Sequence, residues 1–318
     1  ASTTAPATAD VTRGTLVETK QVDGTLGYGD PDTLAGQLQG ILTRLPAEGA
    51  TVTRGQRLYA VDEQPVILMY GTLPAYRALK TGDSGGDVRQ LEQNLRALGY
   101  TGFTVDDSYT AATADAVRDW QDDLGLTETG TVEPGRVVFL PSAVRVAEHK
   151  SEVGQPAGGA VFTYTGTARL VTVDLDVNDR RIARKGAPVA IELPGGQTAS
   201  GTVASVGAVA HAAENESQAP ESKKSTVDVI VAVKDTKQLG DLAQGPVRVR
   251  FVAGERKNVL TVPVVALLAL REGGYGVEVV TGSGTQVVEV ELGLFADGRV
   301  EITGKDISEG TKVRVPAS

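Results

Sequence analysis

Apolar residues recur at the helical period in one stretch of the chain, residues 80–126; most of the remainder alternates at the strand period. Val88, Leu91, Leu95 and Leu98 fall on one stripe, which predicts an amphipathic helix. Asp83 and Ser84 offer cap oxygens ahead of it, and Gly99 ends it. A second helix is predicted where Ala116, Val117, Trp120 and Leu124 share a face, with Thr110 or Thr113 near its start and Gly125 at its end. The two stripes are expected to bury against each other and against Tyr100 and Phe103.

Everything else reads as short strands. Val11 to Tyr28 is rich in Thr and Val; Leu34 to Tyr70 is broken by turn signals at Glu48-Gly49 and Arg54-Gly55. Beyond the helices the same logic repeats. Leu45-Pro46, Val52 and Gly55-Gln56 are echoed by Leu140-Pro141, Val153 and Gly154-Gln155, so one β domain is split by the helical segment. Ala168 to Val209 and Thr226 to Phe251 predict a small closed barrel, with a mobile hairpin loop at residues 211–225. Strands resume from Asn258 to Val315. The expected fold class is therefore mainly β with a small α insert.

Composition narrows the chemistry. The 318 residues carry a net charge of −9 and no cysteine, which excludes disulfides and thiolate metal sites. No basic cluster interleaved with aromatics exists, so nucleic acid is not an expected partner. The apolar run Val259 to Leu270 is interrupted by Thr261 and Pro263 and falls short of the about 20 residues a membrane span needs. The Thr/Ala/Pro-rich residues 1–10 are expected to be a disordered stalk, following a trimmed N-terminal membrane anchor.

The first predicted helix and its surroundings contain Gly82, Gly85, Val88, Leu91, Leu95, Leu98, Gly99 and Tyr100; the second contains Thr113, Ala116, Val117, Trp120 and Gln121. In this order and spacing they resemble a type 1 peptidoglycan-binding domain. That family usually carries a D-G-x-F-G turn between the helices. Here the turn is Asp106-Asp107-Ser108-Tyr109-Thr110, with both glycines replaced. Asp106, Asp107, Tyr109 and Thr113 around it are the candidate peptidoglycan contacts. Trp120 on the apolar stripe is expected to be core.

Gly40, Leu45, Pro46, Glu48, Gly49, Val52, Gly55 and Leu58 resemble half of a lipoyl-like domain. The hairpin tip that would hold a lipoyl lysine is replaced by the helical segment, so no lipoate or other cofactor is expected. Over nearly its whole length the chain resembles the membrane fusion proteins, or periplasmic adaptor subunits, of efflux and secretion pumps. The motif V-P-x-x-A-L at Val262 to Leu267 with its following hairpin, and the barrel strands Val173 to Asp179 and Gly186 to Ile191, carry that resemblance.

The resemblance implies an order of domains. Residues 11–33 would give N-terminal strands of a membrane-proximal domain, with the strand near Leu16 to Gly27 pairing with the C-terminal domain. Residues 34–72 and 134–167 would be lipoyl-like halves around the module at 73–133. Residues 168–256 would form the barrel and 257–318 the membrane-proximal domain. It further implies an integral-membrane transporter partner, of the ABC class, and a homo-oligomer. Adaptors that reach an outer-membrane channel carry a long helical hairpin of several heptads, which this chain lacks. The expectation is an extracytoplasmic, membrane-anchored protein on a Gram-positive-type envelope that touches peptidoglycan. The alternative is a secreted or anchored wall-binding protein without a transporter; a wall hydrolase ranks third.

Catalysis is not expected. His149 and His211 are the only histidines and sit in polar segments, against the fixed cluster a zinc hydrolase needs. Asp174, Asp176 and Asp179 lack the glycine and glutamate that a calcium loop requires at its sixth and twelfth positions. Asp106-Asp107 and Asp122-Asp123 read as solvated loop and helix-end carboxylates rather than paired acids. No nucleophile elbow, phosphate loop or dinucleotide fingerprint occurs.

Overall fold

The run Val66-Ile67-Leu68-Met69 is unbroken by polar residues because both faces of its strand are covered. The computed structural model describes residues 7–208, 211–212, 225–240, 242–281 and 284–316. The chain forms two units, Tyr28–Arg169 and Ala1–Gly27 with Leu170–Ser318. Strands β1 (Thr8–Asp10) and β2 (Thr12–Gly27) belong to the latter.

The unit Tyr28–Arg169 contains β3 (Asp32–Gly36), β4 (Leu42–Arg44), β5 (Thr51–Val52), β6 (Arg57–Val61) and β7 (Gln64–Tyr70). Helices α1 (Gly86–Ala97) and α2 (Ala111–Asp123) follow, then β8 (Val137–Leu140), β9 (Val144–His149) and β10 (Gly159–Thr165). One sheet has the order β3-β10-β9-β5 and the other β4-β6-β7-β8, so strands from either side of the helices enter both sheets. Val66 and Leu68 face the core between the sheets, with Leu42, Leu58, Val146 and Phe162. Ile67 and Met69 face the opposite way, into a core completed by Val88, Leu91, Leu95, Val117 and Trp120. Trp120 is core, as its place on the stripe predicts. The echo between the halves is imperfect: Val52 is buried, whereas Val153 is 58% exposed.

β7 and β8 pair in parallel, Ile67 opposite Val137 through Tyr70 opposite Leu140. Parallel neighbours need a crossover, and residues 71–136 supply it. The insert is thus a third layer on the sandwich, sharing a core with its sheet. Both helices end as the glycines predict. Gly99 (φ +101°) and Gly125 (φ +66°) take the left-handed conformation. Tyr100 N–H then returns to Leu95 O at 3.0 Å and Leu126 N–H to Gln121 O at 2.8 Å, two Schellman closures.

The other unit continues with β11 (Leu170–Asp176), β12 (Pro188–Glu192), β13 (Thr198–Val206), β14 (His211–Ala212) and β15 (Ser225–Val233). Next come β16 (Gly245–Pro263), β17 (Leu267–Ala269), β18 (Tyr275–Thr281), β19 (Gly284–Ala296), β20 (Arg299–Thr303) and β21 (Lys312–Arg314). The order β2-β16-β12-β13-β15-β11 closes when β11 pairs with β2, giving a six-stranded barrel. Leu26, Val173, Leu175, Val229, Val249 and Phe251 fill it. A separate core of Val11, Val262, Val277, Val290, Val300, Ile302 and Val313 holds the C-terminal strands.

Two expectations about the N-terminus need correction. Residues 8–10, assigned to a disordered stalk, form β1 and pair with β21. The segment from Leu16 to Leu26 pairs with Arg256 back to Gly245 along the barrel part of β16, and Thr12–Gly14 reach the C-terminal core. The cause is strand length: Gly14 and Gly24 stay extended within β2, so no turn divides it. Residues 1–6, and 213–224 of the expected hairpin loop, lie outside the described residues. Among the described residues no helix is long and apolar enough to cross a membrane.

Candidate functional site

Helix α1 buries four polar side chains, Asp87, Gln90, Glu92 and Asn94. Asn94 docks the insert on the last residue of β7 and Gln90 holds the first residues of the crossover; Asp87 and Glu92 organise the loops around the helix starts. The Asn94 amide accepts from Tyr70 N–H at 2.8 Å and donates to Tyr70 O at 2.7 Å, behaving as a strand partner for that residue. Gln90 Oε1 accepts from the N–H groups of Thr72 (3.0 Å) and Leu73 (3.1 Å), and Nε2 donates to Leu73 O at 2.8 Å. A crossover leaves ladder pairing, so its backbone groups need side-chain partners. Gly71 is required by this approach, since a Cβ there would lie 1.9 Å from the Gln90 amide carbon. Gly55 on the sandwich does the same for Leu98, whose Cδ2 would be 2.5 Å from an added Cβ.

Glu92 is fully buried. It accepts from Asp106 N–H at 2.9 Å and from the Thr113 hydroxyl at 2.6 Å, joining α1 to the inter-helix turn and to the start of α2. Burial pushes its carboxyl above the usual glutamate value, against the lowering effect of those two bonds. Asp87, also buried, has the opposite environment. Arg77 grips it with two bonds of 2.6 and 2.9 Å, and that guanidinium holds its carboxyl below the ordinary range.

The four candidate contacts converge on this turn but separate by depth. Asp106 is half-buried and its carboxylate accepts from Ser108 N–H at 2.7 Å. Asp107, whose side chain is 50% exposed, pairs with Arg89 at 2.7 Å. Tyr109 and Thr113 are not surface residues. The Tyr109 ring belongs to the helical core, and its hydroxyl donates to Gly130 O at 2.9 Å. Burial raises its phenol pKa. Thr113 is fully buried because it closes a capping box with Thr110 at the start of α2. The expectation that these two are peptidoglycan contacts is corrected on that ground: neither presents a side chain to a polymer.

At the start of α1 the expected caps also differ. Gly85 takes the cap position without a side-chain bond, and the Asp83 carboxylate accepts from Lys80 N–H at 2.8 Å instead. Gln121, next to Trp120, holds the returning segment by accepting from Gly130 N–H at 2.9 Å and donating to Thr131 O at 2.9 Å. Glu92 could have been flagged in the sequence, because it occupies the helical stripe between Leu91 and Leu95. Gln90 and Asn94 could not: a polar row on a helix usually reads as its solvated face.

The buried carboxylates are committed to structural bonds, and the exposed groups form ion pairs. Elsewhere, His149 Nε2 lies 2.7 Å from Pro46 O and the backbone N–H of His149 donates to Glu48 Oε1 at 2.9 Å, bracing a turn of the sandwich. Asp176 caps a short 3-10 turn through Asn178 N–H at 2.9 Å, and Asp179 pairs with Lys20. Asp174 lines an open cleft of the barrel with Asp23, Glu192 and Arg248.

Residues 84–135 match the family described as "Putative peptidoglycan binding domain". Over the whole chain the fold is that of the membrane fusion, or periplasmic adaptor, proteins. MacA from Actinobacillus actinomycetemcomitans superposes with a TM-score of 0.55 at 14% identity, covering 98% of this chain and all (100%) of that one. A MacA–MexA chimera containing the Pseudomonas aeruginosa MexA α-hairpin domain gives 0.50 at 15% identity, covering 97% of this chain and 100% of that one. At such identities the likeness speaks for the fold alone. The chloroplastic protein disulfide isomerase pTAC5 of Arabidopsis thaliana is 34% identical over 95 residues, 27% of this chain. The chain spans 24% of that relative's length. It contains no cysteine with which to share thiol chemistry.

Proposed function

We propose that this chain is the extracytoplasmic adaptor subunit of a membrane transporter, of ABC type, and that its helical layer contacts peptidoglycan. The observation that carries the reading is the combination of an adaptor fold with a peptidoglycan-binding-like insert docked as a fixed layer on its sandwich. Such a layer holds a wall contact at a set position relative to the sandwich, where a loosely tethered module would not. The role is structural rather than catalytic, exercised as a homo-oligomer anchored at the membrane of a Gram-positive-type envelope.

The test is affinity purification of the tagged full-length protein from detergent-solubilised native membranes, with sedimentation on purified sacculi in parallel. The expected result is co-purification of a multi-spanning permease together with retention on sacculi. Retention on sacculi without any permease would instead make the protein a free wall binder, the reading favoured by the family match confined to the insert.

A further inference from the structure

The segment leading from β7 into α1 displays apolar side chains while buried polar groups hold it still. Tyr76 is 64% exposed, and among the described residues no other aromatic side chain is as open. Leu73, three residues earlier, is 43% exposed. Neither is on a loose loop. The Gln90 amide fixes the Leu73 backbone by accepting from its N–H and donating to its carbonyl. Arg77, gripped by Asp87, also donates to Ser84 O at 2.8 Å. Its guanidinium carbon stands 5.6 Å from the Tyr76 ring centroid, within cation–π range. Gln90 and Asp87 are 8% and 5% exposed, so desolvated polar groups are used to present Leu73 and Tyr76 to solvent.

We propose that this loop is the sugar-stacking edge of the insert, with the Tyr76 ring receiving the apolar face of an N-acetylhexosamine in a wall glycan strand. The inference rests on the wall-contact reading above and adds a residue that lies before the matched segment 84–135. A pyranose carries an apolar C–H face and a rim of hydroxyls. A fixed aromatic ring beside a planar guanidinium complements both. The arginines around it are paired with carboxylates, Arg77 with Asp87 and Asp83 and Arg89 with Asp107. That hydrogen-bonding rim of paired arginines matches an uncharged amino-sugar backbone better than an anionic surface, which would need unpaired cations.

The experiment compares the intact chain with Tyr76→Ala, Tyr76→Phe and, as a control in the other unit, Tyr275→Ala. Binding to chitotetraose is read by titration calorimetry and binding to sacculi by sedimentation; thermal melts confirm folding. Tyr76→Ala should weaken chitotetraose binding about tenfold, while Tyr76→Phe stays within about twofold because stacking survives. Tyr275→Ala should bind as the parent does. Undiminished binding by Tyr76→Ala overturns this inference and leaves the wall reading standing. So does a parent chain that binds sacculi but not chitotetraose, which would place recognition on the peptide stems. A Tyr76→Ala variant that keeps glycan binding but loses a co-purifying protein would reassign the loop to protein docking. A parent that binds neither probe overturns both readings.

Discussion

The helical layer and the barrel unit bury their interiors in different ways. Asp87, Gln90, Glu92, Asn94, Thr113 and Gln121 are buried among the two helices and their loops. Among the described residues of the unit holding the barrel, Thr261 is the single buried polar side chain. The barrel needs few because β2 and β16 satisfy each other's backbone along a ladder from Leu26–Gly245 to Thr12–Thr261. The insert leaves the ladder at Tyr70 and regains it at Val137, so side chains must serve the backbone between. The same bonds that satisfy it also fix the layer to the sheet. The difference teaches where rigidity comes from: from pairing in one unit, and from a few buried amides and carboxylates in the other.

The largest expected effect comes from the shared core. Trp120→Ala should cost about 3–5 kcal/mol in chemical denaturation of the full chain. It should also speed amide exchange at Ile67 and Met69, which line the same core. Exchange at those residues unchanged from the parent would mean that the layers are energetically separate. Asn94→Ala should cost about 1–3 kcal/mol, since it strands the Tyr70 N–H and carbonyl. Thr172→Val in the other unit should cost less than about 1 kcal/mol, because its backbone stays in the ladder on both sides. Equal losses for these two would break the comparison.

A smaller effect lies in pH dependence. Glu92 has its carboxyl raised by burial, so the folded state holds this proton to higher pH than the unfolded chain. Its contribution is full below the ordinary glutamate value of 4.5 and falls as pH rises through the raised one. Asp87, lowered by Arg77, acts in the opposite sense: its contribution is present above the ordinary aspartate value of 3.8 and is lost as pH falls. Glu92→Gln should therefore flatten the decline of Tm above pH 4.5. Parallel Tm curves for the two proteins would show that Glu92 does not titrate in this way.

The sequence carried the frame of the molecule further than its site. The stripe Val88-Leu91-Leu95 and the terminal glycines Gly99 and Gly125 defined both helices, because burial and left-handed closure leave direct marks on residue type. The strand at Val66–Met69 was legible only as one of several short β runs, and its cover on both faces came with the folded chain. Tyr109 was misplaced because an aromatic among aspartates and serine reads as a surface turn, while only the folded chain brings Gly130 O to its hydroxyl. Gln90 and Asn94 were invisible for a similar reason: their partners at Tyr70 to Leu73 are backbone atoms, which have no residue signature. The partner of β2 was half legible, since alternation predicts a strand and says nothing of which core each part joins.

The most direct test of a docked layer is native-state amide exchange across a denaturant series. It would follow α1 and α2 beside β6 and β7 in the full-length protein. A shared core predicts that Leu91, Leu95 and Val117 lose protection together with Ile67 and Met69, in one cooperative opening. Helices that open at lower denaturant than the strands, with β7 still protected, would contradict it and return the insert to a tethered module.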